Sequence, residues 1–303
     1  MKDITIFTPT YNRSSYLRRL YDSICLQAHL DSIEWVVIDD ESTDDTADTM
    51  QKIFADNKER FPIRFLKQKH GGKHRAINKA VSIAEGDYFF IVDSDDYLCK
   101  GAIEKILLWI EGVRTRNDIC AVAGIAVFPN NKVIGGAINF STEYVDASIF
   151  DRYKYGLGGD KAEVYKTSIL KRHPFPEFKN EFFVTENVCW YSIAAEGYLI
   201  RWYDDAIYVC DYLPGGLTMS GANDVEGHIR NFCGYKYYIE LCIKVLPLRQ
   251  KFAHINEYRE TVKSLGLSEH EAADAINFSG LKYKIYSFLS RLYTILRSIR
   301  KAT

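Results

Sequence analysis

Residues 89–98 read FFIVDSDDYL, an apolar strand running straight into Asp93, Ser94, Asp95 and Asp96. Outward from this stretch the same grammar repeats. DITIFTPT (3–10) reads as a strand before a helical YLRRLYDSICLQ (16–27), and EWVVIDDES (34–42) precedes DDTADTMQKIFADN (44–57). IRFLKQK (63–69) leads to KHRAINKAVSIAEG (73–86), and the opening strand leads to GAIEKILLWIEGVR (101–114). Alternation of this kind predicts an α/β fold, a mostly parallel sheet covered by helices. In open α/β sheets ligands bind beyond the carboxyl ends of the strands. Three of the four strands end in polar clusters, TPTYNR, DDES and DSDD, so function is expected there.

The rest of the chain is less regular. AVAGIAVF (121–128) and AEVYKT (162–167) read as strands among the glycine-rich loops VIGGA and GLGGDK. TENVCWYSIAAEG (185–197) reads as a helix, LIRWYDDAIYVCDYL (199–213) as a strand pair, and PGGLTMSG (214–221) as a loop. From about Asn223 the pattern is helical to the end. With 303 residues and 47% hydrophobic content, disordered and fibrous classes are excluded. A formal net charge of −1 gives no global reason to expect nucleic acid as a partner. The seven scattered cysteines, never spaced Cys-x-x-Cys, point to free thiols in a reducing cytosol rather than to zinc or a disulfide framework. The opening residues enter a strand pattern at once, without the marks of a signal peptide. No uncharged stretch approaches the ~20 residues of a spanning helix. A cytoplasmic protein is expected.

Taken alone, DSDD reads as a polar turn in which Asp93 or Ser94 caps the helix starting near Gly101. Three converging carboxylates nevertheless repel one another unless a cation neutralises them. Magnesium-type sites commonly combine one or two carboxylates with the phosphates of a substrate, so a metal bridging protein and diphosphate fits this spacing. No Gly-x-Gly-x-x-Gly follows the first strand, and no Gly-rich loop ends in Lys-Ser or Lys-Thr, which leaves dinucleotide and ordinary ATP sites unsupported. TPTYNR offers Tyr11 as a stacking face and Arg13 as a cation, and Asp39 ends the second strand, placed to accept from a base N–H. Each has a plainer role: Tyr11 at a core edge, Arg13 as a solvated charge, Asp39 or Asp40 as a helix cap. Their joint occurrence at three strand ends of one sheet favours the site.

TIFTPTYNR (5–13), EWVVIDDESTDDT (34–46), HGGKHRAINKAVSIAEGDYFFIVDSDDYL (70–98) and FFVTENVCW (182–190) resemble, in order, the motifs of glycosyltransferase family 2, inverting enzymes of the GT-A fold that use nucleotide sugars. The resemblance covers roughly residues 3–220. It implies that Asp93 and Asp95 hold Mn2+ or Mg2+, with Asp93 and Ser94 also facing the donor, and that Thr8, Pro9, Tyr11 and Asp39 frame uridine. Asp39 accepting from uracil N3–H would favour UDP, because cytosine has no proton there. The division that follows is a transferase domain over 1–222, its nucleotide-binding half to about 120 and its acceptor half over 121–222, and then a helical region over 223–303.

Two departures from the family pattern matter. Many members carry Arg before the Asn of the third motif, whereas Ile77 precedes Asn78 here. Lys73 or Arg75 must then face the diphosphate, and Lys73, projecting from GGKH, is preferred; Gly71 and Gly72 between His70 and His74 argue against a metal pair on one helix face and for a loop. Many members also show Glu-Asp where this chain has Glu186-Asn187, with the Asp as general base. Glu186 is the carboxylate left for that role. The expected reaction is a single inverting displacement from a UDP-sugar to a hydroxyl of a glycan or lipid-linked acceptor, in cell-surface polysaccharide synthesis. Two rivals are a catalytically inactive sugar-nucleotide or glycan binder and a phosphoaspartate-type phosphotransferase. Finally, LKYKIYSFLSRLYTILRSIRK (281–301) places apolar residues at spacings of three and four beside six basic residues and no acid. Such a helix suits an anionic membrane surface, and peripheral residence on the inner face of the cell membrane is expected.

Overall fold

The computed structural model describes residues 2–211 and 224–302, with side chains up to Leu292. The PGGLTMSG loop lies outside the described residues. The chain forms two compact units, Met1–Phe175 with Ile193–Leu213, and Pro176–Ser192 with Pro214–Thr303.

The first unit opens with the expected alternation: β1 (Lys2–Thr10), α1 (Ser14–Cys25), β2 (Ile33–Asp39), α2 (Thr46–Asn57), β3 (Ile63–Lys67), α3 (Lys73–Ile83), β4 (Gly86–Ile91), β5 (Tyr97–Leu98) and α4 (Ala102–Glu111). It continues with β6 (Ile119–Val127), β7 (Tyr144–Ala147), β8 (Lys161–Lys166) and α5 (Thr167–Leu170), then α6 (Asn187–Ala195) at the boundary between the units, and β9 (Leu199–Val209). One sheet runs β3-β2-β1-β4-β8-β6-β9-β5, with β7 also on β9. The first four strands are parallel, as are β6 and β9. Because helices cover the sheet, β2 is buried at every position, which is why its sequence is a continuous apolar run rather than an alternating one. Its buried Glu34 accepts from Thr5 Oγ1 and the Glu85 N–H and pairs with Arg64.

Two local expectations change. Within LIRWYDDAIYVCDYL, residues 199–209 form one bulged strand, not a pair: the register on β6 slips between Ala123 and Ile125, so the polar Asp204-Asp205 step is absorbed without a turn. Gly124 faces that bulge, where a Cβ would stand 2.8 Å from the Asp205 carbonyl oxygen. Neither Asp93 nor Ser94 caps α4. The cap position is Gly101 at φ 75°, and β5 intervenes, paired antiparallel to β9.

In the second unit, α7 (Val225–Arg230), α8 (Phe232–Val245), α9 (Leu248–Ser264), α10 (Glu269–Ala275) and α11 (Gly280–Ala302) give the helical pattern expected of this region. The segment 176–192 is fastened to α8. Buried Glu181 accepts from the Cys233 and Gly234 amides at 2.7 and 2.8 Å, filling the orphan donors of the helix N-terminus. Asn231 Oδ1 in turn accepts from the amides of Phe182 and Phe183.

Candidate functional site

The carboxyl ends of β1, β2 and β4 carry the site candidates of the first unit. Thr10 and Asp39 are register partners, as are Asp39 and Lys67, so the three side chains stand in one row. Asp39 is fully buried. Its Oδ1 accepts the Ser42 amide at 2.9 Å, while Oδ2 accepts no hydrogen bond among the described residues and has only Lys67 Nζ at 3.8 Å. The buried Thr10 hydroxyl is likewise without a partner among the described residues. Neighbouring buried polar atoms left unpaired are costly, and a ligand that pairs them relieves that cost.

Asp40 has a different duty. Its oxygens accept the Gly71 and Gly72 amides at 2.9 and 2.8 Å and the Gln68 side chain at 2.7 Å. The Gln68–Gly72 loop is thereby wrapped around the end of β2, with Gly72 at φ 90° just before α3. His70 therefore sits in a loop, its ring stacked on Tyr11 at 4.6 Å, while His74 is buried in α3. Tyr11 is 46% exposed. Thr8 differs from expectation: it is fully buried and its hydroxyl accepts from the Trp35 indole at 3.0 Å, so only its backbone is left to border the site. Pro9 follows it on the same strand.

Lys73 opens α3 and reaches Asp93, its Nζ lying 2.6 and 2.8 Å from the two carboxylate oxygens. Arg75 instead folds back on the Gly71 carbonyl at 2.6 Å. Asn78 exchanges two hydrogen bonds with the Phe175 backbone.

The three carboxylates of DSDD divide their work. Asp96 turns inward: its oxygens accept from the Tyr208 hydroxyl at 2.7 Å and the Asp211 amide at 2.8 Å. Burial, and then the charge of Asp93, push Asp96 up to about 7. Tyr208 also accepts the Asp93 amide at 3.0 Å, so one buried tyrosine of β9 pins both ends of the turn. Asp93, which Lys73 holds, and Asp95 are both partly buried, with Ser94 buried between them. Burial and the Asp93 charge raise the Asp95 carboxyl above the usual range, and Arg13 approaches it at 3.9 Å. Arg19 braces the turn, donating to the Asp95 carbonyl at 2.5 Å and to Asp211 at 2.8 Å.

Among the described residues no three His, Cys, Asp or Glu side chains form a complete metal cage. The hard oxygens of Asp93 and Asp95, mutually repelling and partly desolvated, do fit Mg2+ or Mn2+ when phosphate oxygens complete the shell. Glu186 belongs to the second unit. It immediately precedes α6, its carbonyl accepting the Cys189 and Trp190 amides.

Thus β1, β2, β4 and α3 bring Tyr11, Arg13, Asp39, Lys73, Asp93 and Asp95 to one end of one sheet. Arg19, Asp40, Thr10, Tyr208 and Asp211 were not expected. Asp40 and Thr10 lie within quoted motifs, but Arg19 reaches partners 76 and 192 positions away, which no local pattern signals.

Comparison with known proteins bears on the family and the fold. The family described as glycosyl transferase family 2 matches residues 5–187. The chain is 28% identical over 180 residues to the poly(ribitol-phosphate) beta-N-acetylglucosaminyltransferase TarS of Staphylococcus aureus, covering 58% of this chain and 30% of that protein. It is 36% identical over 104 residues to the chondroitin synthase of Pasteurella multocida, covering 34% and 10%. The match thus spans under a third of either relative. Among solved structures, S. aureus TarS 1-349 in complex with UDP-GlcNAc superposes with a TM-score of 0.61 at 21% identity, over 91% of this chain and 79% of that one. The mannosyltransferase PcManGT of Pyrobaculum calidifontis, in complex with GDP-Man and Mn2+, superposes with a TM-score of 0.53 at 16% identity, over 99% and 79%. The fold is the GT-A fold with a helical C-terminal region, and by a family match spanning more than half of its length the chain belongs to glycosyl transferase family 2.

Proposed function

We propose that this chain is an inverting, metal-dependent glycosyltransferase that moves a sugar from a UDP-sugar to a hydroxyl of a glycan or lipid-linked acceptor in cell-surface polysaccharide synthesis. The observation that carries the reading is the buried Oδ2 of Asp39, which accepts no hydrogen bond among the described residues, at the same end of the sheet as the Lys73–Asp93 pair, two strands away. A carboxylate oxygen held in that way accepts from uracil N3–H, and the Thr10 hydroxyl beside it offers a second contact to the base edge. Tyr11 supplies the ring face for stacking.

Asp93 and Asp95 would hold Mn2+ or Mg2+ with the donor's diphosphate, and the ion would add positive charge beside the leaving group. Lys73 supplies a fixed charge toward the same group. Arg13 does so at longer range, and Ser94 lines the donor side of the turn. Glu186 is assigned the acceptor proton: as the hydroxyl oxygen forms its bond to the anomeric carbon, the bond to the diphosphate oxygen breaks and the proton passes to the carboxylate. One displacement inverts the anomer.

Asp95→Asn keeps shape but loses ligand charge, so it is expected to abolish turnover with Mn2+ and weaken UDP binding in Mn2+; wild-type activity would remove the metal assignment. Glu186→Gln is expected to leave UDP-sugar binding nearly intact while transfer disappears. Persisting transfer that Asp204 or Asp205 substitution then abolishes would move the base to β9. Asn187, where many family members carry the base, favours one second reading, an inactive nucleotide-sugar or glycan binder. Tight UDP binding without turnover across a panel of UDP-sugars and lipid-linked acceptors would select it. Phosphatase action on simple esters would select the phosphoaspartate alternative.

A further inference from the structure

Among the described residues, one stripe of helix α11 is packed on its own unit. Tyr283, Ser287 and Ser290 are buried, and the Tyr283 ring meets Tyr258 of α9 edge-on at 6.3 Å. Tyr286 makes the same kind of contact with Phe252 and Phe278. A second stripe is apolar and open: Leu281 is 72% exposed, Ile285 48%, Phe288 65% and Leu292 45%. Steps of four, three and four residues put them on successive turns in one line, on the side away from Tyr283, Ser287 and Ser290. At ~100° per residue, exposed Lys282 borders this line on one side and exposed Lys284 and Arg291 border it on the other. The helix sequence holds six Lys or Arg and no Asp or Glu in a chain whose net charge is −1, so the rest of the protein is net acidic.

We propose that this face of α11 docks on an anionic lipid bilayer and lies in its headgroup plane. Leu281, Ile285, Phe288 and Leu292 would enter the acyl boundary, while the flanking lysines lay their methylene stems along it and set their ammonium groups among the phosphates. Among the described residues no helix is long and apolar enough to cross a membrane, so the surface is the geometry left for such a face. Pairing with a second copy is opposed by charge: the borders of two such stripes would bring lysine against lysine, with no acid on either helix to answer them. The proposal rests on α11 alone and stands or falls separately from sugar transfer.

The test uses the full chain, sedimented with vesicles of phosphatidylcholine alone or mixed with phosphatidylglycerol, at low and high salt. The unmodified chain is expected to pellet with the anionic vesicles and to be released by salt. Lys282→Glu with Lys284→Glu is expected to weaken partitioning at least about 25-fold, about fivefold for each lysine. Ile285→Ser with Phe288→Ser is expected to lose binding at unchanged melting temperature, both positions being exposed. Equal partitioning to neutral and anionic vesicles, or indifference to both variants, would overturn the proposal. So would a serine pair that converts a dimer to a monomer while the parent ignores vesicles, because the face would then join two copies. The lipid and salt dependence of the unmodified chain decides the matter even if a variant fails to fold.

Discussion

Under the proposed function, the hydrogen bonds of Asp39 would set the preference for the base. Because the Ser42 amide claims Oδ1, an Asn at this position would be oriented, with its carbonyl on Ser42 and its NH2 where Oδ2 now stands. The acceptor for uracil N3–H would become a donor suited to cytosine N3. Asp39→Asn is therefore expected to cost about 1.5–3 kcal/mol of UDP affinity, roughly ten- to a hundredfold, and to gain affinity for CDP. Calorimetric titration with both nucleotides measures the swap; unchanged preference would detach Asp39 from the base. At this scale the candidate positions were legible where they lay at strand ends, because carboxylates such as Asp39, Asp93 and Asp95 are out of place beside apolar runs. What was not legible is the division of labour within DSDD. That Asp96 is the inward pin depends on Tyr208 and the Asp211 amide, more than a hundred positions downstream.

Elements were legible in proportion to their length and to the continuity of their apolar pattern. The strands β1, β2 and β4 announce themselves because burial inside the sheet favours apolar runs, while β3, at the sheet edge, is only partly buried. β5, two residues long, and β7, four residues long, are defined by their partner β9 rather than by any period of their own. In the second unit, a buried histidine ties one element's stability to pH. His228 of α7 stacks on Tyr235 of α8 at 3.7 Å and lies near Thr261 of α9. Burial holds its pKa below the usual 6.5, against the opposing pull of Glu257 and Asp224. The folded state thus keeps the ring neutral while the unfolded chain protonates below about pH 6.5. Stability from this site is present above that pH and is lost as pH falls toward the depressed folded value. The melting temperature of the helical unit is expected to drop on mild acidification, and His228→Gln is expected to flatten that slope. An identical slope in the variant would place the acid sensitivity elsewhere.

For the whole molecule, the sequence placed the change of character near residue 222, where sheet pattern gives way to helical pattern. Compactness divides the chain differently, since residues 176–192 belong with the C-terminal helices. The reason is physical and nonlocal. FFVTENVCW reads as part of the transferase half, yet its approach is secured by Glu181 on the α8 N-terminus, by Asn231 on two successive amides, and by Tyr191 against Tyr238. The helices are thus the support on which residues 181–191 are mounted. A chain ending at residue 222 would keep β1 to β9 and with them Asp39, Lys73, Asp93 and Asp95, but would leave Glu181 without its helix and the Phe182 and Phe183 amides without their acceptor. Such a chain is expected to bind UDP and fail at transfer. Hydrogen exchange separates this from general unfolding: amides of residues 181–190, protected in the full chain, should exchange freely in the shortened one, while those of β1, β2 and β4 stay slow. Protection of 181–190 that survives removal of the helices would show that the segment is held by the sheet unit after all.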